Sequence, residues 1–458
     1  MGPKVAVIGA GLAGSEAAWQ LARRAIPVDL FEMRPQRMTE AHRTGDCAEL
    51  VCSNSFKSTA EQNAHGLLKA ELALQGSLAL QCARESAVPA GQALAVDRDL
   101  FSRAVTGRIT AHPLIRLARE EALALDPLLA RYALVIVATG PLTSDALSGE
   151  LAARFGAGHL AFYDAISPVV MADSIDRGVA FAASRYGKGE ADYLNCPLSE
   201  AEYRAFVEAI AQAEKVPLHA FESLRPFEGC LPIEVMVERG PLTLAFGPMK
   251  PVGLTDPRTG KRPFAVVQLR QENRRATMYS LVGFQTKMTW PEQRRIFRTI
   301  PGLEQAEFAR LGSLHRNTFI ESPRLLDADL GWREDPRLIF AGQITGVEGY
   351  MESTAMGLYA GKRAAFRVMG RRVARPSPET MTGALVRYVT ETPLAGFQPM
   401  NASFGLLDPA PPHLNKGERK AFLARRALAE MGRLERAEPG EGGGGPIPHP
   451  EGTSERIL

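Results

Sequence analysis

The chain has 458 residues, of which 45% are hydrophobic and 23% are charged, and its formal net charge is +3. This composition matches an ordinary soluble globular protein, and without a run of about 18 apolar residues a transmembrane helix is excluded. Five scattered cysteines exclude a structural disulfide framework and indicate a cytoplasmic, reducing location.

The first predicted elements, over residues 4–35, are a strand, a tight turn, a helix and a second strand. The turn has the spacing G-x-G-x-x-G, whose glycines permit the turn, the approach of a pyrophosphate and close packing of helix on strand. The predicted phosphate-binding residues are Gly9, Ala10, Gly11, Leu12, Ala13 and Gly14. The second strand ends at Glu32, at the spacing of a carboxylate that binds a ribose diol. We therefore predict a dinucleotide site, which this motif alone does not assign to FAD or NAD.

Two cysteines follow in "GDCAELVCSNSFKS", at positions 47 and 52. Their C-x4-C spacing suits a redox-active disulfide beside a flavin, and it equally suits one reactive thiol with an inert neighbour. The polar residues that follow Cys52 are good N-caps, and a helix is predicted from about Glu61 to Gln75. A thiol near a helix start, with Lys57 close by, should be favoured as the thiolate.

Two later segments favour FAD. Residues 131–144 predict an apolar strand that ends at Thr139 and Gly140, a second close approach of backbone to the cofactor. Residues 336–365 predict a strand, a loop and a small-residue helix whose N-terminal amides could face the N1/O2 edge of a flavin. The loop contributes the candidate residues Gly342, Gln343, Gly346 and Gly349. Completing one site from so late in the chain resembles the glutathione-reductase-like flavoproteins.

Residues 166–302 predict an inserted domain of mixed type. A helix is predicted over 198–216, and strands over 233–240, 242–247, 264–272 and 276–284. Cys230 lies on a Gly-Cys-x-Pro turn in this segment. From position 239 to 298 there are twelve Lys or Arg and three Asp or Glu, a net +9 that leaves −6 for the rest. Such a segment could face nucleic acid, or it could be a solvated surface.

The predicted fold is α/β: a discontinuous glutathione-reductase-like FAD-binding Rossmann domain, over 1–165 and 303–370, with an inserted α+β domain over 166–302. Residues 371–437 predict helices packing on the FAD domain, and 438–458 a disordered Gly/Pro-rich tail. No mid-chain nicotinamide motif and no late His-x4-Glu pair is present, which argues against a disulfide reductase. The histidines have no metal-like spacing to the cysteines, so no metal site is predicted.

These motifs closely resemble one family, the folate- and FAD-dependent tRNA (uracil-5-)-methyltransferases, which are related to the glucose-inhibited-division flavoproteins. The resemblance extends over nearly the whole chain up to about residue 430, and its most specific blocks are "CSNSFKS" and "FEGCLPIE". It implies that the functional cysteines are Cys52 and Cys230. It assigns no function to Cys47.

The resemblance implies methylation of C5 of uridine 54 in the tRNA T loop. Methylenetetrahydrofolate would donate the carbon, reduced FAD would be the electron source and methylene carrier, and NADH or NADPH would be the reductant. A thiolate that adds to C6 activates C5, and a base then removes the C5 proton. We assign Cys230 as the nucleophile and Cys52 as the acid/base, while the reverse assignment stays open.

Two other functions also remain open at this stage. One is the sister activity, a flavoprotein that modifies wobble uridines with a GTPase partner. That family usually has a longer C-terminal helical domain, for which little chain remains after residue 370. The other is a flavin oxidoreductase without an RNA substrate.

Overall fold

The computed structural model describes residues 3–156, 160–187, 190–216 and 231–438. Cys230 lies outside the described residues, and so does the predicted tail apart from its first residue. The β-strands in the described part are β1 (Val5–Ile8), β2 (Val28–Phe31), β3 (Ser55–Ser58), β4 (Ala87–Val88), β5 (Ala93–Val96), β6 (Ile115–Ala118), β7 (Leu134–Val137), β8 (Leu160–Ala165), β9 (Val169–Met171), β10 (Phe181–Ala182), β11 (Tyr193–Leu198), β12 (Ala265–Gln271), β13 (Met278–Leu281), β14 (Phe308–Arg310), β15 (Leu314–Phe319) and β16 (Leu338–Phe340).

The α-helices in the same ranges are α1 (Leu12–Arg23), α2 (Ala64–Leu74), α3 (Leu78–Glu85), α4 (Arg98–Ala111), α5 (Asp126–Arg131), α6 (Asp145–Phe155), α7 (Glu200–Gln212), α8 (Ile233–Glu238), α9 (Thr243–Phe246), α10 (Trp290–Phe297), α11 (Ser322–Leu325), α12 (Tyr350–Val368), α13 (Met381–Glu391) and α14 (Lys416–Ala437). Within the described ranges, none of these helices has the length and apolarity needed to cross a bilayer.

A parallel sheet supports the glycine-rich turn. Its strand order is β16-β7-β1-β2-β6, and every pair in it is parallel. Strands β1 and β7 are short apolar runs, VAVI and LVIV, buried along their whole length, as expected for a sheet covered on both faces. Because β16 comes from much later in the chain than β7, the sheet is built from two separate stretches of sequence. The predicted Rossmann-type α/β layer is confirmed.

Helices α1 and α12 lie against each other, as the small residues of α12 predict. A Cβ atom added to Gly357 would overlap the backbone of Ala13, and one added to Gly361 would overlap the backbone of Ala17. Both positions therefore require glycine for this close approach. The N-termini of α1 and α12 both line one cavity.

The inserted segment forms a second, antiparallel sheet of order β10-β11-β12-β13-β9-β14. It has a separate hydrophobic core, which draws on residues between Val170 and Ala306, with Tyr203, Phe206 and Phe284 among its largest buried side chains. The domain boundaries given above remain a prediction. The C-terminal helices contact α2, where buried Glu71 accepts hydrogen bonds from the backbone N–H of Met381 at 2.6 Å and of Thr382 at 2.9 Å.

Two of the four strands predicted in the insertion are wrong. Residues 233–240 and 242–247 contain helices α8 and α9 instead. The alternation of apolar residues in "IEVMVERG" is typical of a strand, but Ile233 and Val237, four positions apart, are the buried pair. Pro232 precedes the first helical residue, and Glu234 turns inward to accept a hydrogen bond from Thr286. Tertiary contacts therefore override the local alternation, whereas the helix over 198–216 and the other two strands are confirmed as α7, β12 and β13.

Candidate active site

The turn between β1 and α1 has the geometry of a phosphate cradle. Gly9 has φ +95°, a conformation that disfavours any side chain. A Cβ on Gly14 would overlap the carbonyl oxygen of Gly9, whereas a Cβ on Gly11 would have no neighbour within 4 Å. Gly11 is the N-cap of α1 and supplies no side chain to cap its first N–H groups. These N–H groups can therefore bind an anion at the helix N-terminus.

Glu32 follows β2 and lies beside this turn. One of its carboxylate oxygens accepts a hydrogen bond from the N–H of Ala10 at 2.9 Å, and Arg34 Nε donates to the other at 2.9 Å. Burial by itself would raise the pKa of Glu32, but the hydrogen bonds and charge of Arg34 hold it below its ordinary value. The carboxylate is therefore ionised and held in place at the end of the strand.

A cavity with an empty volume of about 980 Å³ opens over these elements. The sequence-predicted residues that line it are Gly9, Gly11, Leu12, Ala13, Glu32, Thr139, Gly140 and Gln343. Five other predicted cofactor-binding residues do not line it: Ala10, Gly14, Gly342, Gly346 and Gly349. Ala10 is buried, and Gly14 packs against the carbonyl of Gly9. A Cβ on Gly342 would overlap Ala13, and one on Gly346 would overlap Phe397. These last two glycines shape the loop before α12.

A second cavity adjoins the first and shares part of its wall. Its empty volume is about 860 Å³, and Leu142, Gln343 and Tyr350 line both cavities. Cys52 and Gly349, the N-cap of α12, face this second cavity. The residues present fit a dinucleotide, since an open glycine cradle and an ionised carboxylate lie at one end and a thiol with a helix N-terminus lies at the other.

Cys52 is not at a helix start, contrary to the sequence-based expectation. Residues 55–58 form β3, and α2 begins at Ala64 with Asn63 as its cap. The side chain of Asn54 does not cap a helix, because its oxygen accepts a hydrogen bond from Arg270 Nε at 2.8 Å and its amide nitrogen donates to the carbonyls of Val96 and Gln271, both at 2.9 Å. Lys57 is exposed, and its Nζ donates to Asn401 at 2.8 Å. Neither the helix start nor the Lys57 contact that the sequence predicts is therefore present at Cys52.

Tyr350, at the first position of α12, contacts the Cys52 loop. Its hydroxyl oxygen accepts hydrogen bonds from the backbone N–H of Cys52 at 2.9 Å and of Ser53 at 3.1 Å. Burial raises the pKa of Tyr350 above its ordinary value, so its hydroxyl stays neutral. Sequence reasoning missed this residue, although it directly follows Gly349 in the predicted loop before the small-residue helix.

Cys47 has an environment that suits an inert residue. It is fully buried, its N–H donates to Thr106 Oγ1 at 2.8 Å, and burial raises the pKa of its thiol to about 11. Across the described part of the chain, no disulfide joins Cys47 to Cys52. Burial likewise raises the pKa of Cys82 to about 11 and that of Cys196 to about 12.

The Gly11→Ala and Gly14→Ala variants are predicted to differ in their effects on stability and on flavin binding. Gly14→Ala forces α1 away from the turn, and we expect a lower melting temperature together with loss of bound flavin. Gly11→Ala meets no protein atom, so the apoprotein should melt as the unsubstituted protein does while flavin occupancy falls, because the new methyl group occupies space left for phosphate. Thermal melts of apoprotein and visible absorbance measure the two effects. Equal destabilisation of both apoproteins would contradict this division of roles.

Comparison with known proteins relates the chain to one protein family and to several named relatives. The model of the family "Glucose inhibited division protein A" matches residues 4–372. A Geobacter sulfurreducens protein named methylenetetrahydrofolate–tRNA-(uracil-5-)-methyltransferase TrmFO is 57% identical over 428 residues, which are 93% of this chain and 98% of that protein. A Heliobacterium modesticaldum protein of the same name is 56% identical over 431 residues, 94% of this chain and 97% of that protein.

Among solved structures, GidA of Aquifex aeolicus in its form I crystal superposes with a TM-score of 0.68 at 16% identity. The match covers 95% of this chain and 76% of that chain. At this identity the similarity establishes the fold alone, and it confirms the predicted fold class.

Proposed function

Since the chain belongs to the glucose inhibited division protein A family, and within it to the methylenetetrahydrofolate–tRNA-(uracil-5-)-methyltransferases, we propose that it methylates C5 of uridine 54 in the tRNA T loop. The carbon donor is methylenetetrahydrofolate and the cofactor is FAD. The observation that carries this proposal is the position of Cys52, in a cavity that adjoins the cavity over the glycine cradle and shares part of its wall. A thiol beside a flavin and open to solvent suits a reaction on an extruded base.

The predicted cofactor residues would hold FAD across both cavities. The Gly9–Gly14 turn would bind the pyrophosphate, Glu32 the adenosine ribose, and Gly140 and Gln343 the middle of the cofactor. Gly349, at the start of α12, would place the helix N-terminus near the flavin ring. The chemistry that FAD supplies when bound is two-electron reduction and carriage of the methylene group.

Two cysteines act on the uracil. The Cys230 thiolate forms a bond to C6, which moves an electron pair to C5 and makes C5 nucleophilic. After C5 has gained its methyl group, Cys52 takes the C5 proton, the C–H electron pair restores the C5–C6 double bond, and the Cys230 thiolate leaves. The role of Cys230 rests on the family motif because this residue lies outside the described part of the chain.

A reduced nicotinamide, NADH or NADPH, regenerates reduced FAD in this proposal. The chain shows no mid-chain nucleotide motif of its own, so the nicotinamide would reach the flavin through the open cavity and leave before tRNA binds. Because tRNA and reduced folate are both substrates, we place the reaction in the cytoplasm.

The basic segment over 239–298 is the proposed tRNA-binding surface. Ten of its twelve Lys and Arg residues are exposed, while Arg270 is buried. Exposed cations that neutralise phosphates make RNA binding salt-dependent, and the T-loop uridine must also be extruded, which costs a few kcal/mol.

Replacing Arg262, Arg275 and Arg294 with glutamine should weaken tRNA binding and flatten its dependence on salt. Each lost phosphate contact is expected to reduce the slope of log K against log salt by roughly 0.7–0.9. Arg433→Gln, at an exposed arginine of α14 outside the segment, is the matched control. Filter binding across a salt series measures the slope, and an unchanged slope in the triple variant would remove this segment from the interface.

Transfer of labelled carbon from methylenetetrahydrofolate to tRNA tests the proposed function. Label should appear in 5-methyluridine at position 54, only with reductant, and with the purified protein that carries FAD. Label at the wobble position would instead favour the sister activity. No transfer to RNA under any reductant would reject both RNA-modifying functions.

A further inference from the structure

Two arginines from separate parts of the fold hold the backbone of the Cys52 loop. Arg98, at the start of α4, donates from Nη1 to the carbonyl of Leu50 at 3.0 Å and from Nη2 to that of Cys52 at 3.2 Å. Arg310, at the end of β14, donates from Nη1 to the carbonyl of Val51 at 3.1 Å and from Nη2 to that of Cys52 at 3.0 Å. The carbonyl of Cys52 thus accepts hydrogen bonds from two guanidinium groups, one from helix α4 and one from strand β14.

A third arginine and one glutamate complete this group. Arg270 is buried on β12, and its Nε donates to the side chain of Asn54 at 2.8 Å. Glu272 is also buried, and one of its oxygens accepts from Arg98 Nε at 2.7 Å. We call Arg98, Arg270, Glu272 and Arg310 the arginine cluster.

The arginine cluster has more positive than negative charge. Three guanidinium groups face one carboxylate, which leaves a net +2 next to Cys52. Within the described residues, Arg310 Nε is buried without a hydrogen-bond partner. Burial lowers the pKa of Arg310 to about 10 and also lowers the pKa of Arg270. The site therefore disfavours positive charge that no nearby negative charge balances.

We propose that the arginine cluster keeps Cys52 as a thiolate at neutral pH and thereby makes it a base. Two guanidinium groups contact the carbonyl of Cys52 and therefore lie close to its thiol. A positive charge within about 4–6 Å of a thiol favours the ionised thiolate form. The other groups that face Cys52 do not supply this charge. Tyr350 is neutral, Glu272 opposes ionisation, and Lys57 is exposed and contacts Asn401. The catalytic use of the thiolate rests on the proposed function, whereas its ionisation does not.

The pH dependence of alkylation at Cys52 tests this inference. Iodoacetamide is reacted with the FAD-containing protein across a pH series, and modification of the Cys52 peptide is followed by mass spectrometry. We expect a midpoint below the ordinary thiol value of about 8.5. Arg310→Gln should raise the midpoint by about one pH unit, while Arg310→Lys, which keeps the charge, should leave it near that of the unsubstituted protein.

Glu272→Gln provides a test of opposite sign. This change keeps an acceptor for Arg98 but removes the one negative charge of the cluster, so the midpoint should fall. Arg433→Gln on α14 is the control and should not shift the midpoint, and retained FAD absorbance shows that each variant is folded. An ordinary midpoint in the unsubstituted protein, or equal shifts in Arg310→Gln and Arg310→Lys, would overturn the inference. Because alkylation needs neither folate nor tRNA, failure here is distinct from failure of label transfer.

Discussion

Methyl transfer should fall about 10²- to 10⁴-fold in the Cys52→Ala variant, the range that a general acid–base group contributes. Cys52 faces the cavity next to the predicted flavin position, and two arginines contact its carbonyl. Alanine removes the thiol that we propose takes the C5 proton while leaving these backbone contacts in place. Transfer of labelled carbon to tRNA under single-turnover conditions measures the effect.

Cys47→Ala is the matched control for this experiment. Cys47 is five residues away in sequence, yet it is fully buried and its thiol has a pKa of about 11, so it stays protonated at neutral pH. We expect methylation to remain largely intact, with a stability loss of about 1 kcal/mol from the small cavity. Comparable loss of activity in both variants would revive the interpretation of the pair as a redox couple.

The covalent adduct between the protein and tRNA containing 5-fluorouridine should be absent in Cys230→Ala. A thiolate bonded to C6 is normally released when a base removes the C5 proton, and fluorine at C5 prevents that step. The adduct therefore accumulates wherever the nucleophilic cysteine is present. Denaturing gel electrophoresis, with methylenetetrahydrofolate and reductant supplied, separates the adduct from free protein.

Cys52→Ala provides the comparison, since loss of the base does not prevent formation of the C6–sulfur bond. The adduct should persist in this variant. If it persists in Cys230→Ala and disappears in Cys52→Ala, the two cysteines have exchanged roles relative to our assignment. The uracil would then have to enter the cavity that holds Cys52 far enough for its C6 to reach the Cys52 thiolate.

Local sequence patterns were sufficient for the glycine cradle and for the packing of the two helices beside it. The turn at Gly9, the carboxylate of Glu32 and the close-packing glycine at 357 each depend on backbone sterics or on residues adjacent along the chain. Such constraints act over one turn or one strand, so they are visible in a single sequence. The same local approach predicted the wrong structure over residues 233–247. Ile233 and Val237 are buried on one face of a helix there, although the apolar residues alternate along the sequence as they do in a strand.

By itself, the sequence determined the dinucleotide cradle, the α/β class and, through its motifs, the family and its two candidate cysteines. Only the tertiary structure decided what surrounds Cys52. It replaced a predicted helix start with strand β3, and it brought Arg98, Arg270 and Arg310 to one loop. The physical reason is that charge acts through space, and these arginines are far apart along the chain. No local pattern records that they meet, because their contact depends on how the second sheet packs against the first.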